Sequence, residues 1–396
     1  MITVTVAHDL LQQHSQPTPV AWVPLSEAAG LVLARDIQAP ADVPFFHQSA
    51  MDGYAFAYQH WQRQPLQVTA HIPAGNQQLH TLQPGQAARI YTGAPLPAGA
   101  DTVVMQERTE QLQNRLFIID EQLQPGSNVR TRGSEITCGT PALTAGSCLH
   151  PGAIGFLASL GIEKVPVYRR IKVTLIITGN ELLQPGVPPA YARVYDSNSY
   201  LLTAALQALP VTQLATQYAD DDVMAITAAI KAALLYSDLV LVTGGVSTGD
   251  YDFVVAAMQA CEVTQVFHKI KQKPGKPLFM GRHQHQLLFG LPGNPASVLT
   301  CFYEYVLPAI DYMAGHTRHR IQPQQRVLTT AVHKKAGLTQ FIKATCTATG
   351  VTPCAAQESY RLSSFATANC LLVLDEAVTS CPAGETVTVH LLPHYL

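Results

Sequence analysis

The chain has 396 residues, more than one hydrophobic core usually organises, so several domains are expected. Charged residues make up 13%, about half the share near 25% usual in globular proteins, and 47% are hydrophobic, which excludes a disordered chain. A formal net charge of -2 without blocks of like charge argues against nucleic acid, and no apolar run reaches the ~18 residues that span a bilayer.

The opening MITVTVAHDLLQQHSQPTPV lacks the basic and apolar regions of a secretory signal, so a soluble, cytoplasmic protein is expected, with no membrane partner. Next come PLSEAAGLVLARDI and, much later, PGAIGFLASLGI, both of which read as helical; Pro151 suits a first turn and Gly161 a stop. Between them, residues 39 to about 137 are rich in Pro, Gly, Gln and short alternating runs, which suits a small β-rich domain inserted between two paired helical segments, 1–38 and 138–170.

From Lys172 the pattern alternates. KVTLIITG is a strand ending at Gly179, SNSYLLTAALQALP has helical spacing, VTQLATQYA is the next strand, and Val223, Ile226, Ile230 and Leu234 recur at helical intervals after an acidic DDD. SDLVLVTGG supplies another buried strand; then follow VTQVFHKI, the loop KQKPGKP, a strand pair around LFMG and QLLFG, and a long helix after LPGNP. Such alternation predicts a mainly parallel sheet covered on both faces over 171–318, with ligands at the carboxyl ends of its strands. Residues 319–396 turn to β-type runs and close on a hairpin-like NCLLVLDE, PAGE, TVTVHLL.

The eight cysteines are scattered without a C-x-x-C pair, and the fifteen histidines are dispersed without metal-ligand spacing, so most of the thiols are expected to be small buried hydrophobes and the imidazoles to lie at the surface or in turns. Chemistry gathers instead in four loops. In TGGVSTGDYD, Gly244 and Gly245 let backbone approach a phosphate, although a Gly-Gly turn also serves as an ordinary strand-to-helix connection. Asp250 and Asp252 beside that cradle would repel a phosphate unless a divalent cation lay between, which points to Mg2+. Glu181 in TGNEL and Asp221 sit at related sheet positions, whereas Asp222 reads as a helix N-cap. KQKPGKP holds Lys273 and Lys276 about a Pro-Gly turn; in LPGNP, Pro292 and Pro295 stiffen the backbone and Asn294 offers a polar side chain.

The ordered set SAMDGYA, TGAP, NVRTRGSEI, PGAIGFLASLGI, TGNEL, VYDSNS, TGGVSTGDYD, KPGKP and LPGNP resembles the molybdopterin molybdenumtransferase family, known as MoeA and as the E domain of gephyrin, over nearly the whole chain. The resemblance implies a multidomain α/β plus β protein: a helical domain in two segments, an inserted β-rich domain over 39–137, a mainly parallel α/β molybdopterin-binding domain and a C-terminal β barrel. It implies a homodimer, with adenylylated molybdopterin and molybdate as substrates, AMP as a product, and other enzymes of cofactor assembly as candidate partners.

By position, Glu181, Asp221 and Asp252 match acids that handle metal and substrate, and Asp52 and Thr92 match residues supplied across the dimer. Ser247, Lys276 and Pro277 match the molybdate pocket; Lys343 and Ser359 fall where the family offers an arginine and a hydroxyl. The chain departs from the family pattern at Glu135 in GSEI for GEDI, at Asn180 in TGNEL for TGDEL, in HQSAMDGY for DNSAMDGY, and at Leu338 and Lys343, where arginines are usual. Two other readings stand beside molybdate insertion: a non-catalytic molybdopterin-binding scaffold, which Asn180 and Leu338 favour, and a molybdopterin adenylyltransferase.

Overall fold

The computed structural model describes residues 1–244, 253–317 and 319–393. At its centre lies a six-stranded sheet in the order Val211–Ala219, Ile171–Thr178, Leu239–Thr243, Gln286–Leu291, Phe279–His283, Thr264–His268. The first four strands are parallel, and Phe279–His283 runs antiparallel to both of its neighbours. Leu239–Thr243 is buried at every position, and Ile171–Thr178 at every position but Lys172. Burial on both faces explains why these strands read as continuous apolar runs.

Alternate residues divide between two cores. Val173, Leu175, Ile177, Leu239 and Leu241 pack with the helix Asn198–Gln207 and with a long helix that starts at Pro295, passes through the π-helical turn Phe302–Val306 and ends at Met313. Ile176, Val240 and Val242 face the helices Val223–Leu234 and Phe253–Ala260 instead. Asp222 caps the first of these, accepting from the Ala225 amide at 2.9 Å, as its position predicts.

The flanks add two further sheets. Residues between the N-terminal segments form a six-stranded sheet in the order Thr102–Met105, Gly53–Phe56, Gln86–Ile90, Leu66–Ile72, Arg115–Ile118, Thr109–Leu112. At the C-terminal end, Thr339–Thr347, Cys370–Leu374, Thr386–Leu391 and Pro323–Val327 form a sheet whose outer edge is the short strand Gln272–Lys273, lent by the central region and parallel to Thr339–Thr347. No helix among the described residues is long and apolar enough to cross a membrane.

One local expectation fails. PLSEAAGLVLARDI is not a helix: after the 3-10 turn Leu25–Glu27, Val32 and Leu33 form bridges to Cys148 and Val167, and Val20–Pro24 pairs with Lys164–Tyr168. Leu31, Val32 and Leu33 are all buried in succession, which an extended chain packed on both sides accommodates and a surface helix does not. The α-helical element of the 1–38 segment is Val4–His14, capped by Thr3, whose Ala7 and Leu11 join the central core four residues apart.

One ion pair locks the entry to the central strands. Asp238 is 4% exposed and receives Arg169 Nη1 and Nη2 at 2.7 and 2.8 Å and the Lys172 amide at 2.8 Å. Burial alone would raise the Asp238 carboxyl, but the Arg169 hydrogen bonds and the Lys172 amide outweigh it and hold it below its ordinary value. A carboxyl depressed in the fold stabilises it above about pH 4 and loses that contribution as pH falls through the lowered value. Asp238→Asn should therefore cost about 2–4 kcal/mol by chemical denaturation near neutrality, and the gap from wild type should narrow below pH 4. A pH-independent gap would refute the ionic account.

Candidate functional site

The parallel strands open at their carboxyl ends into a cleft of about 1020 Å³. It gathers Glu181, Asp221, Gly244, Lys273, Lys276, Pro277, Pro292, Asn294, Pro295 and Ser359, which stand in five separate loops and a distant C-terminal segment of the sequence. Leu338 lines it too. Gly245, Ser247 and Asp252 lie outside the described residues.

Hydrogen bonds between loops build the walls. Asn180 and Asp221 clasp reciprocally: the Asn180 amide donates to Asp221 Oδ2 at 3.3 Å, and the Asp221 amide to Asn180 Oδ1 at 3.2 Å. Asn198 Nδ2 donates to the Gly293 carbonyl at 2.9 Å, and Asn294 Nδ2 to Ser359 Oγ at 3.1 Å. The Ala296 amide also donates to the Ser359 carbonyl at 3.2 Å, so the C-terminal domain is tied directly to the long helix. Asn180 thus stabilises the loop that holds an acid, a part its amide plays without charge.

The cleft carries unmet polar capacity. Asp221 Oδ1, Thr178 Oγ1 and Asn198 Oδ1 are buried yet have no hydrogen-bond partner among the described residues. Buried oxygens of this kind call for a bound donor or cation. With Glu181 exposed in the same cleft, Asp221 supplies hard oxygen ligands suited to Mg2+, although no group of three metal-binding side chains occurs among the described residues. Asp196 also lines the cleft but is fully engaged, accepting from the Ser199 amide and hydroxyl and from Tyr218 Oη, which anchors the start of Asn198–Gln207.

Four assigned residues lie elsewhere. Asp52 and Thr92 meet at one end of the inserted sheet, where Asp52 Oδ1 accepts from the Thr92 amide and hydroxyl, each at 2.8 Å. These bonds, the amide first, hold the Asp52 carboxyl below its usual range. Glu135 is exposed, and its amide donates to the Val43 carbonyl at 2.9 Å.

Lys343 is the fourth, and it is not open to a ligand. It is 3% exposed, and its Nζ donates to the carbonyls of Ala356 and Arg361 at 2.9 Å and of Glu358 at 3.4 Å. Three donors meet three acceptors, all in the segment that presents Ser359. Burial lowers its pKa from the ordinary lysine value. Residues with roles that sequence reasoning missed are Thr178, Asn198 and Gln272; VYDSNS held the only signal for one of them, Asn198.

Comparison with known proteins agrees with this arrangement. Residues 2–161 match the model of the MoeA N-terminal region (domain I and II), 174–312 that of a probable molybdopterin binding domain, and 325–392 that of the MoeA C-terminal region (domain IV). The chain is 35% identical to the molybdopterin molybdenumtransferase of Haemophilus influenzae across 100% of both chains. It is 35% identical to molybdopterin molybdenumtransferase 2 of Mycobacterium tuberculosis, covering 93% of this chain and 94% of that one. Two crystal structures of the molybdopterin biosynthesis MoeA protein of Pyrococcus horikoshii superpose with TM-scores of 0.85 and 0.82 at 30% and 28% identity, each covering 99% of this chain and 99% and 100% of the other. Three regions in family order, on a chain whose cleft is lined mostly by the middle one, make this protein a member of the molybdopterin molybdenumtransferase family, enzymes of molybdenum cofactor biosynthesis.

Proposed function

We propose that the cleft inserts molybdate into adenylylated molybdopterin with hydrolytic loss of AMP, in a magnesium-dependent step. The observation that supports this most is the meeting of two lysines, Lys273 and Lys276, with two carboxylates, Glu181 and Asp221, in one cleft. Lysines attract a tetrahedral oxyanion and a phosphate; carboxylates in the same space would repel both unless a cation were shared. Glu181 and Asp221 would hold Mg2+, with Asp252 as a further candidate from the sequence. The ion, when bound, supplies neutralisation of charge on the phosphate oxygens.

The lysines bind and orient the oxyanion, and the Pro292–Pro295 turn and Ser359, tied together through Asn294, line the same cleft. Asp52, Thr92 and Glu135 enter the same proposal through a homodimer in which a second copy completes the cleft. Support comes from large exposed apolar side chains near Asp52, among them Phe45, Phe46 and Met51. A cytoplasmic setting and closure of the C-terminal sheet as a barrel belong to this reading as well.

The test is AMP release from adenylylated molybdopterin with Mg2+, with and without molybdate. Molybdate-dependent release is expected; binding without turnover would indicate a carrier, and transfer of an adenylyl group from ATP the neighbouring activity. Asp221→Ala should lower kcat/KM about 10²-fold or more while leaving the oligomeric state unchanged. Lys343→Met should act differently, removing three hydrogen bonds to carbonyls. A stability loss of about 2–4 kcal/mol and faster amide exchange over 356–361 are expected. Unchanged stability with weakened oxyanion binding would instead make Lys343 a ligand.

A further inference from the structure

The loop that carries Lys273 and Lys276 is held from beneath by a buried amide. Gln272 is fully buried, although it stands in a run of lysines and prolines. Its Nε2 donates to the Pro274 carbonyl at 3.1 Å and the Gly275 carbonyl at 3.2 Å, with Cys301 Sγ at 3.6 Å. Its Oε1 accepts from the Tyr305 hydroxyl. The orientation is forced, since a hydroxyl can donate only to the amide oxygen while two carbonyls require the nitrogen.

Tyr305 reaches this point from the π-helical turn Phe302–Val306, is itself fully buried, and stacks on His8 at 5.1 Å between ring centroids. The space is closed: a Cβ on Gly275, at φ +83°, would lie 2.4 Å from Cys301 Sγ and 2.9 Å from Gln272 Nε2. The turn therefore cannot settle closer to the helix, and the amide keeps it from lifting away.

We propose that Gln272, oriented by Tyr305, is a positioning residue that fixes the Pro274–Gly275 turn so that Lys273 and Lys276 face the cleft. The inference rests on the reading that these lysines receive the oxyanion. Gln272→Met keeps the volume but removes both donors and the acceptor, leaving the Pro274 carbonyl and the Tyr305 hydroxyl without their Gln272 partner and the Gly275 carbonyl with only the Cys301 thiol at 3.7 Å. The lysines remain, with their turn released.

Calorimetric titration with molybdate, at a temperature where every variant is folded, separates the possibilities. Gln272→Met is expected to weaken molybdate binding about tenfold, and to weaken it less than twofold when Lys273→Ala and Lys276→Ala are already present together, because the cations that the turn positions are then absent. Equal weakening in both backgrounds, or none, overturns the positioning role. If Lys276→Ala alone leaves molybdate binding unchanged, the oxyanion reading of the loop fails instead. Should Gln272→Met not fold, Tyr305→Phe, which leaves both carbonyl bonds in place, carries the same comparison with a smaller expected loss of about threefold; additive behaviour there overturns the proposal.

Discussion

The cleft depends on the contact between two loop backbones at the carboxyl edge of the central sheet. A Cβ on Gly244 would stand 2.4 Å from the Thr178 carbonyl oxygen and 2.6 Å from its hydroxyl, so no other residue permits the two adjacent strands to end so close together. Gly293, just past the exit of Gln286–Leu291, sits against the same point, a Cβ there reaching Gly244 Cα at 3.8 Å. Parallel strands deliver their exits to one edge, and small residues at those exits leave a floor of backbone. Side chains with charge are thereby displaced to the rim, where Glu181 and Lys273 are exposed.

Polar groups around that floor fall into two kinds, and hydrogen-bond satisfaction tells them apart. Asp196, Gln272 and Lys343 are buried, and each is matched to nearby protein donors or acceptors. A group so matched has little left to offer a ligand, and its removal leaves its partners stranded. Asp221 differs in having one oxygen bonded to the Asn180 amide and the other buried without a partner among the described residues. Asp196 and Asp221 carry the same charge and each precedes a helix; only the fold shows that Asp196 is used up by its partners and Asp221 is not.

That distinction sets what the sequence could disclose. The parallel sheet was legible because double-sided burial leaves uninterrupted runs such as Val173 to Ile177, and the loops were legible because glycine and proline punctuate them. Gathering Lys276 with Asp221 in one cleft was inferable from the rule that ligands bind at the carboxyl edge. Lys343 was open to misreading, since a lone lysine on a β-type run carries no mark of the three carbonyls it meets 13 to 18 residues later. Gln272 was invisible for a similar reason: Cys301 and Tyr305, which bury it, are 29 and 33 residues away on the long helix. Local periodicity cannot report such partners.

The cleft is lined by residues of both the central region and the C-terminal region, and the strand Gln272–Lys273 joins the two. Gln272 pairs in the C-terminal sheet opposite Thr339, while its side chain points down into the central core against Tyr305. Ser359 is held by Asn294 and Ala296 of the central region and, through its own loop, by Lys343 of the C-terminal strand Thr339–Thr347. That strand therefore reaches both loops, by its first residues the lysine loop and by Lys343 the Ser359 loop. Displacing it along its axis would move a cation loop and a hydroxyl loop together. The C-terminal domain is thus part of the site's geometry even though few of its side chains line the cleft, and a truncation before residue 319 would remove the edge on which Gln272 and Lys273 are paired.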